Sequence, residues 1–184
     1  NTDAKTLKQI STGKSENKFG VNSKAFYELV NYCKNSKNID LQCLSVHIGS
    51  QILDHKPYEK MLKAVSTIIS KTKHKFKFVD LGGGMGIAYN DTIKKLNYKK
   101  YNSAINNFLK KYNTKIIFEP GRSIIGNTGT LISKVIYVKD GRGKKFIILD
   151  AAMNDLMRPA LYGAVHKILP TKKSSSISKN IYEF

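Results

Sequence analysis

The stretch FKFVDLGGG, residues 76–84, consists of a short apolar run that ends in three glycines. Similar apolar runs lie on either side of it, at residues 41–48 and 115–118. Each run has the length and composition of a buried strand, and longer segments with helical spacing separate the three. This alternation predicts a βαβαβ segment, and therefore a parallel sheet with right-handed crossovers.

The two intervening segments repeat apolar residues at the three- and four-residue spacing of an amphipathic helix. The first follows Pro57, which suits the first turn of a helix. The predicted apolar faces consist of Tyr58, Met61, Leu62, Val65, Ile68 and Ile69 in the first segment, and Tyr98, Tyr101, Ile105, Phe108, Leu109 and Tyr112 in the second.

The pattern changes after residue 128. Two β-branched runs, residues 130–138 and 145–149, flank the turn-forming sequence Asp-Gly-Arg-Gly at 140–143, which predicts an antiparallel hairpin. The Ser- and Lys-rich residues 172–180 are typical of a loop. We therefore expect an α/β domain over residues 1–128 and the start of a β-rich domain over 129–184.

The net charge of +19 comes mostly from lysine, which supplies 29 of the 32 basic residues. These lysines are scattered and form no basic helix, zinc knuckle or aromatic-interleaved patch, so we expect no nucleic-acid partner. No apolar run approaches the roughly 20 residues needed to cross a bilayer, which predicts no membrane association. Cys33 and Cys43 lack metal-ligand spacing, so we expect no metal and a cytoplasmic location.

Chemically informative residues follow the predicted strands at a regular interval. His47, Gly83 and Glu119 are separated by 36 residues each. A repeating βα unit of about 30 residues is what an eight-fold barrel requires, and its strands carry active-site residues at their carboxyl ends. The three positions are therefore expected at one edge of the sheet.

Each cluster can be interpreted as a ligand-binding feature or as a purely structural one. Gly82, Gly83 and Gly84 would let backbone N–H groups cradle a phosphate, or would merely form a tight turn. Glu119 would hold a protonated pyridine nitrogen, with Gly121 and Arg122 facing a phosphate or carboxylate; the alternative is a turn with a surface ion pair.

The other two clusters contain His47 and Arg158. A flat imidazole can stack on a cofactor ring and Ser50 can donate to phosphate, although a histidine at a strand end is often structural. Arg158 and Tyr162 are four residues apart, and would face one ligand if the segment is helical. Without further context this last segment indicates a capped helix.

Taken in order, the four clusters resemble the signature of the fold-type III pyridoxal-phosphate decarboxylases. Residues 47–51 and 157–162 are similar to the diaminopimelate decarboxylases within that group. The resemblance implies part of an alanine-racemase-like (β/α)8 TIM barrel, followed by the start of an antiparallel β domain. It also implies a homodimer that uses pyridoxal 5'-phosphate to convert meso-2,6-diaminopimelate to L-lysine and CO2.

The resemblance assigns the site residues as follows. The cofactor-binding residues would be His47, Ser50, Gly82, Gly83, Gly84, Glu119, Gly121 and Arg122, and the residues that bind substrate carboxylates would be Arg122, Arg158 and Tyr162.

The resemblance also implies that two catalytic groups lie outside this chain. The Schiff-base lysine of the family would precede Asn1, and the partner-contributed Cys-Glu-Ser segment would follow Phe184. We therefore expect a fragment that is inactive in isolation and contains no catalytic residue of its own. A related ornithine, arginine or carboxynorspermidine decarboxylase and a non-catalytic, degraded gene product remain alternatives.

Overall fold

The computed structural model describes residues 19–172 and a short strand at Tyr182–Glu183. These residues form two compact units: residues 19–88 with 94–128, and residues 89–93 with 129–172 and the short strand. Within these ranges, no helix has both the length and the apolar character required to cross a bilayer.

The first unit is built on a three-stranded parallel sheet in the order β1-β2-β3. The strands are β1 (Cys43–Ser45), β2 (Phe78–Asp80) and β3 (Lys115–Ile117), so the predicted parallel βαβαβ arrangement is confirmed. Each strand is shorter than the apolar run that predicted it. Hydrogen bonds nevertheless continue one residue further, from Val46 N–H to the Asp80 carbonyl and from Leu81 N–H to the Ile117 carbonyl.

Four helices belong to this unit: α1 (Ser23–Asn35), α2 (Lys56–Thr72), α3 (Tyr98–Lys111) and the short α4 (Arg122–Ile125). The predicted helices α2 and α3 are confirmed, whereas α1 and α4 were not predicted. The buried apolar side chains of the two predicted helices all belong to the expected apolar faces: Tyr58, Met61, Leu62, Val65, Tyr101, Ile105 and Phe108. Thr72, at the end of α2, is buried as well but was not among the predicted residues.

The core of the first unit lies between β2 and these helices. Val79 of β2, Tyr58 and Val65 are no more than 1% exposed. The Tyr58 and Tyr101 rings pack with their centroids 4.4 Å apart. Burying an aliphatic side chain of this size stabilises a fold by roughly 1.5–3 kcal/mol, so the core holds the strand ends, and the loops that follow them, in place.

The second unit contains the predicted antiparallel pair, β4 (Val135–Asp140) with β5 (Lys145–Leu149). The predicted start of the first strand at residue 130 is wrong, because β4 begins at Val135. Just before it, the Lys134 carbonyl still accepts from Asp150 N–H at 3.1 Å, but Ser133 and the Lys134 N–H bond to a side chain. The Asp150 carboxylate accepts from Ser133 Oγ and from Lys134 N–H, both at 2.8 Å.

The remaining elements of this unit are β6 (Tyr182–Glu183), parallel to β5, and the short helix α5 (Arg158–Tyr162). The helical reading of the arginine–tyrosine segment is confirmed, with Pro159 in its first turn. The predicted loop at 172–180 lies outside the described residues, apart from Lys172.

Candidate functional site

The loop after β2 is held by a buried carboxylate. Asp80 is 7% exposed; its Oδ1 accepts from Gly82 N–H at 2.8 Å, and its Oδ2 accepts from Ser45 Oγ at 3.0 Å. The Tyr58 hydroxyl donates to the Gly83 carbonyl at 3.3 Å. Asp80 was not among the predicted site residues, although its position two residues before the glycine triplet was an available signal.

The glycine triplet contacts the loops that follow both neighbouring strands. A Cβ on Gly83 would overlap the Glu119 carbonyl oxygen, and one on Gly84 would overlap the Gly49 carbonyl oxygen. Gly82 and Gly84 also have φ of +64° and +84°, which favours glycine. Only a chain without side chains at these positions allows the three loops to approach this closely.

The predicted site residues of the first unit are therefore brought together at one edge of the sheet. His47 Nδ1 lies 3.5 Å from Gly83 N, and Glu119 N–H donates to the Gly82 carbonyl at 2.9 Å. The side chains of His47 and Glu119 are exposed at this edge. Ser50 follows Gly49 and is half-buried.

Several donors at this edge have no acceptor in the described part of the chain. They include the Ser50 hydroxyl and the backbone N–H groups of Gly84 and Gly121. Ser50 and Gly84 are half-buried and Gly121 is exposed, and a donor without a protein partner is ready to bind an anion. A phosphate fits this set of donors, and the exposed Glu119 carboxylate fits a protonated ring nitrogen.

Arg122 is held by a residue that the sequence reasoning did not assign to the site. Its Nη1 donates to Gln51 Oε1 at 3.0 Å, and both side chains are half-buried. Within residues 19–172, Arg122 forms no ion pair with a carboxylate. No acidic side chain of the described residues therefore offsets the charge of this guanidinium.

Arg158, in the second unit, is held in a similar way. Its Nη1 donates to the Tyr89 hydroxyl at 2.9 Å, and its guanidinium lies 5.0 Å from the centroid of the Tyr89 ring. His166 Nε2 lies 3.4 Å from the same Nη1, and burial together with the Arg158 charge lowers the pKa of His166. Tyr162 is at the end of α5 and is exposed.

Comparisons with known proteins agree with this arrangement. Residues 1–126 match the family described as "Pyridoxal-dependent decarboxylase, pyridoxal binding domain". Relatives named diaminopimelate decarboxylase include that of Aquifex aeolicus, 41% identical over 97% of this chain and 44% of its own length. The Helicobacter pylori protein is 40% identical over 97% of this chain and 45% of its own length.

Solved structures of the same enzyme are similar in fold. Diaminopimelate decarboxylase from Helicobacter pylori, complexed with L-lysine, has a TM-score of 0.87 and 39% identity, covering 95% of this chain and 44% of that one. The chain thus spans less than half the length of the relatives it matches. With its family match over residues 1–126 and its converging strand-end loops, the chain belongs to the pyridoxal-dependent decarboxylases and is related to the diaminopimelate decarboxylases.

Proposed function

We propose that this chain is part of an enzyme that decarboxylates meso-2,6-diaminopimelate to L-lysine and CO2 with pyridoxal 5'-phosphate. The names of its relatives support the reaction, and the L-lysine bound to the Helicobacter pylori structure has the identity of the expected product. In this proposal, residues 1–128 are part of an alanine-racemase-like (β/α)8 barrel and residues 129–184 begin a β-rich domain.

The strand-end loops of the first unit would hold the cofactor. Ser50 and the N–H groups of Gly84 and Gly121 would donate to its phosphate, because these donors are available at one edge of the sheet. Gly82 and Gly83, whose N–H groups bond to Asp80 and His47, would line the phosphate without side chains that obstruct it. The ring of His47 would stack on the cofactor, and Glu119 would keep the pyridine nitrogen protonated. When bound, the cofactor supplies an electron sink for the electrons that the departing CO2 leaves behind.

The observation that carries the substrate assignment is that two arginines are each fixed by a neutral side chain and have no acidic partner among residues 19–172. Arg122 is bonded to an amide, and Arg158 to a phenol. A charged guanidinium that is fixed but not neutralised is suited to bidentate binding of a carboxylate. We assign both arginines, with Tyr162, to the carboxylates of diaminopimelate, and Arg122 also to the cofactor phosphate.

The proposal includes a cytoplasmic homodimer. Exposed apolar side chains on β4, among them Ile136 (64%) and Tyr137 (62%), support burial against further protein.

The test is CO2 release by the full-length enzyme that contains this chain. We expect turnover of meso-diaminopimelate and little or none of ornithine, which has a single carboxylate. Arg158→Lys should raise KM for diaminopimelate by roughly 10- to 100-fold, because lysine cannot form the planar two-bond contact. Equal turnover of ornithine, or an unchanged KM in the variant, would contradict the substrate assignment.

A further inference from the structure

Gln51 has an unusual backbone conformation for a residue with a side chain. Its φ is +62°, in the left-handed region that favours glycine. In the described residues, Lys73 is the one other non-glycine residue with positive φ, and it caps the C-terminus of α2, where such a conformation is common. Gln51 caps no helix, so its conformation needs another explanation.

The side chain of Gln51 is fixed by both ends of its amide. Nε2 donates to the Ile87 carbonyl at 2.6 Å, and Oε1 lies 3.3 Å from Ile87 N as an acceptor. Next to this pair, Ile52 N–H donates to the Gly84 carbonyl at 2.9 Å and Gly86 N–H donates to the Ile52 carbonyl at 3.0 Å. The Gln51 amide thus both donates to and accepts from the backbone of Ile87, as a peptide group would, and it extends the hydrogen-bonded pairing between residues 51–52 and 84–87.

The same Oε1 also accepts from Arg122 Nη1 at 3.0 Å. An amide is the only common side-chain group of this length that can donate to a carbonyl, accept from an N–H and accept from a guanidinium without bringing charge. A carboxylate at this position would face the Ile87 carbonyl without a donor and would neutralise Arg122.

We propose that Gln51 is a positioning residue for Arg122: its amide, locked against the backbone of Ile87, sets the direction of the guanidinium while leaving its charge to a ligand carboxylate. This inference rests on the proposed function for its substrate, diaminopimelate. It adds a residue that determines how tightly that substrate is held. The left-handed backbone turns the Gln51 side chain toward both of its partners.

The test uses the full-length holoenzyme with Gln51→Met, which keeps side-chain length, and Gln51→Glu, which keeps an acceptor but adds charge. Both variants should raise KM for diaminopimelate about tenfold, equivalent to about 1.4 kcal/mol, while kcat stays within about threefold. Calorimetric affinity for pimelate, the same carbon chain without amino groups, should fall in parallel. Gln42→Met, at an exposed glutamine whose amide bonds to Asp40, is the matched control and should change neither value.

A purely structural role would give a different result. It would lower the melting temperature of both Gln51 variants without changing KM or pimelate affinity beyond about threefold, and that outcome overturns the inference. If Gln51→Met does not fold, Gln51→Glu alone decides by the same measurements. If the wild-type enzyme releases no CO2 from diaminopimelate, the proposed function fails, and the pimelate affinities still decide whether Gln51 positions Arg122.

Discussion

Gly83→Ala tests whether the close approach of the strand-end loops is essential. The added Cβ would lie closer than 3.0 Å to the Glu119 carbonyl oxygen, a backbone atom that no side-chain rotation can move. Overpacking of this kind costs about 1–3 kcal/mol. We expect the upper end, because the backbone fixes the position of the Cβ and the oxygen it meets is itself a backbone atom. Separating the loops also strains the hydrogen bond from Glu119 N–H to the Gly82 carbonyl, worth about 1 kcal/mol.

The expected loss is therefore about 3 kcal/mol of unfolding free energy, measured by urea denaturation of the full-length enzyme. With a slope near 2 kcal/mol/M, the midpoint should fall by roughly 1.5 M. Cofactor affinity should fall at least tenfold, because the displaced loop carries Glu119. Gly129→Ala is the control: a Cβ there meets nothing within 4 Å, and we expect less than about 0.5 kcal/mol. A Gly83→Ala variant with wild-type midpoint and cofactor affinity would refute this reasoning.

Two further predictions concern buried hydroxyls and a histidine. The Tyr101 hydroxyl is buried without a hydrogen-bond partner among residues 19–172, and burial raises the pKa of Tyr101 to about 12. Tyr101→Phe should therefore raise the free energy of unfolding by about 1 kcal/mol in urea denaturation. Tyr58→Phe, which loses its hydrogen bond to the Gly83 carbonyl, should lower it by a similar amount. Two losses of equal size would contradict this contrast. Burial and the Arg158 charge lower the pKa of His166 below 6.5, so on acidification the unfolded chain binds this proton before the folded chain does. The contribution of neutral His166 to folding stability is therefore complete above pH 6.5. It is lost as the pH falls through the lower pKa of the folded state. Thermal melts of His166→Gln should be less sensitive to acid than wild type over this window, and identical pH profiles would exclude the effect.

The sequence predicted the elements whose pattern is long and regular. Helix α2 has a six-residue apolar face that matches one side of a helix, and its four most buried members were all among the predicted residues. Helix α1 was missed because its buried side is narrow: Val30 and Cys33 are its only buried residues, and Asn22, which accepts from Ala25 N–H as a cap, was the remaining local signal. A weak periodic signal of this kind is decided by tertiary packing.

The site likewise contains features that a local sequence pattern predicts and one contact that no local pattern predicts. The glycine triplet was recognisable because its conformational freedom is an intrinsic property of the residue, and the spacing from His47 to Glu119 placed the loops together. The contact between Gln51 and Arg122 spans 71 residues of sequence and depends on the backbone direction at Gln51. No local pattern encodes such a contact, so the three-dimensional structure was needed to find it.

In the proposed function, the neutral partners of the two arginines let each arginine side chain be ordered before a ligand carboxylate binds. A carboxylate partner would fix a guanidinium equally well, but a ligand carboxylate would then have to displace it and leave that partner without a counter-charge. The amide of Gln51 and the hydroxyl of Tyr89 each occupy one donor of a group that has five. Most of the ordering of the side chain is then complete in the free protein, while the remaining donors and the charge stay available. The lysines of this chain, which form compact point charges, could not replace either arginine in this arrangement.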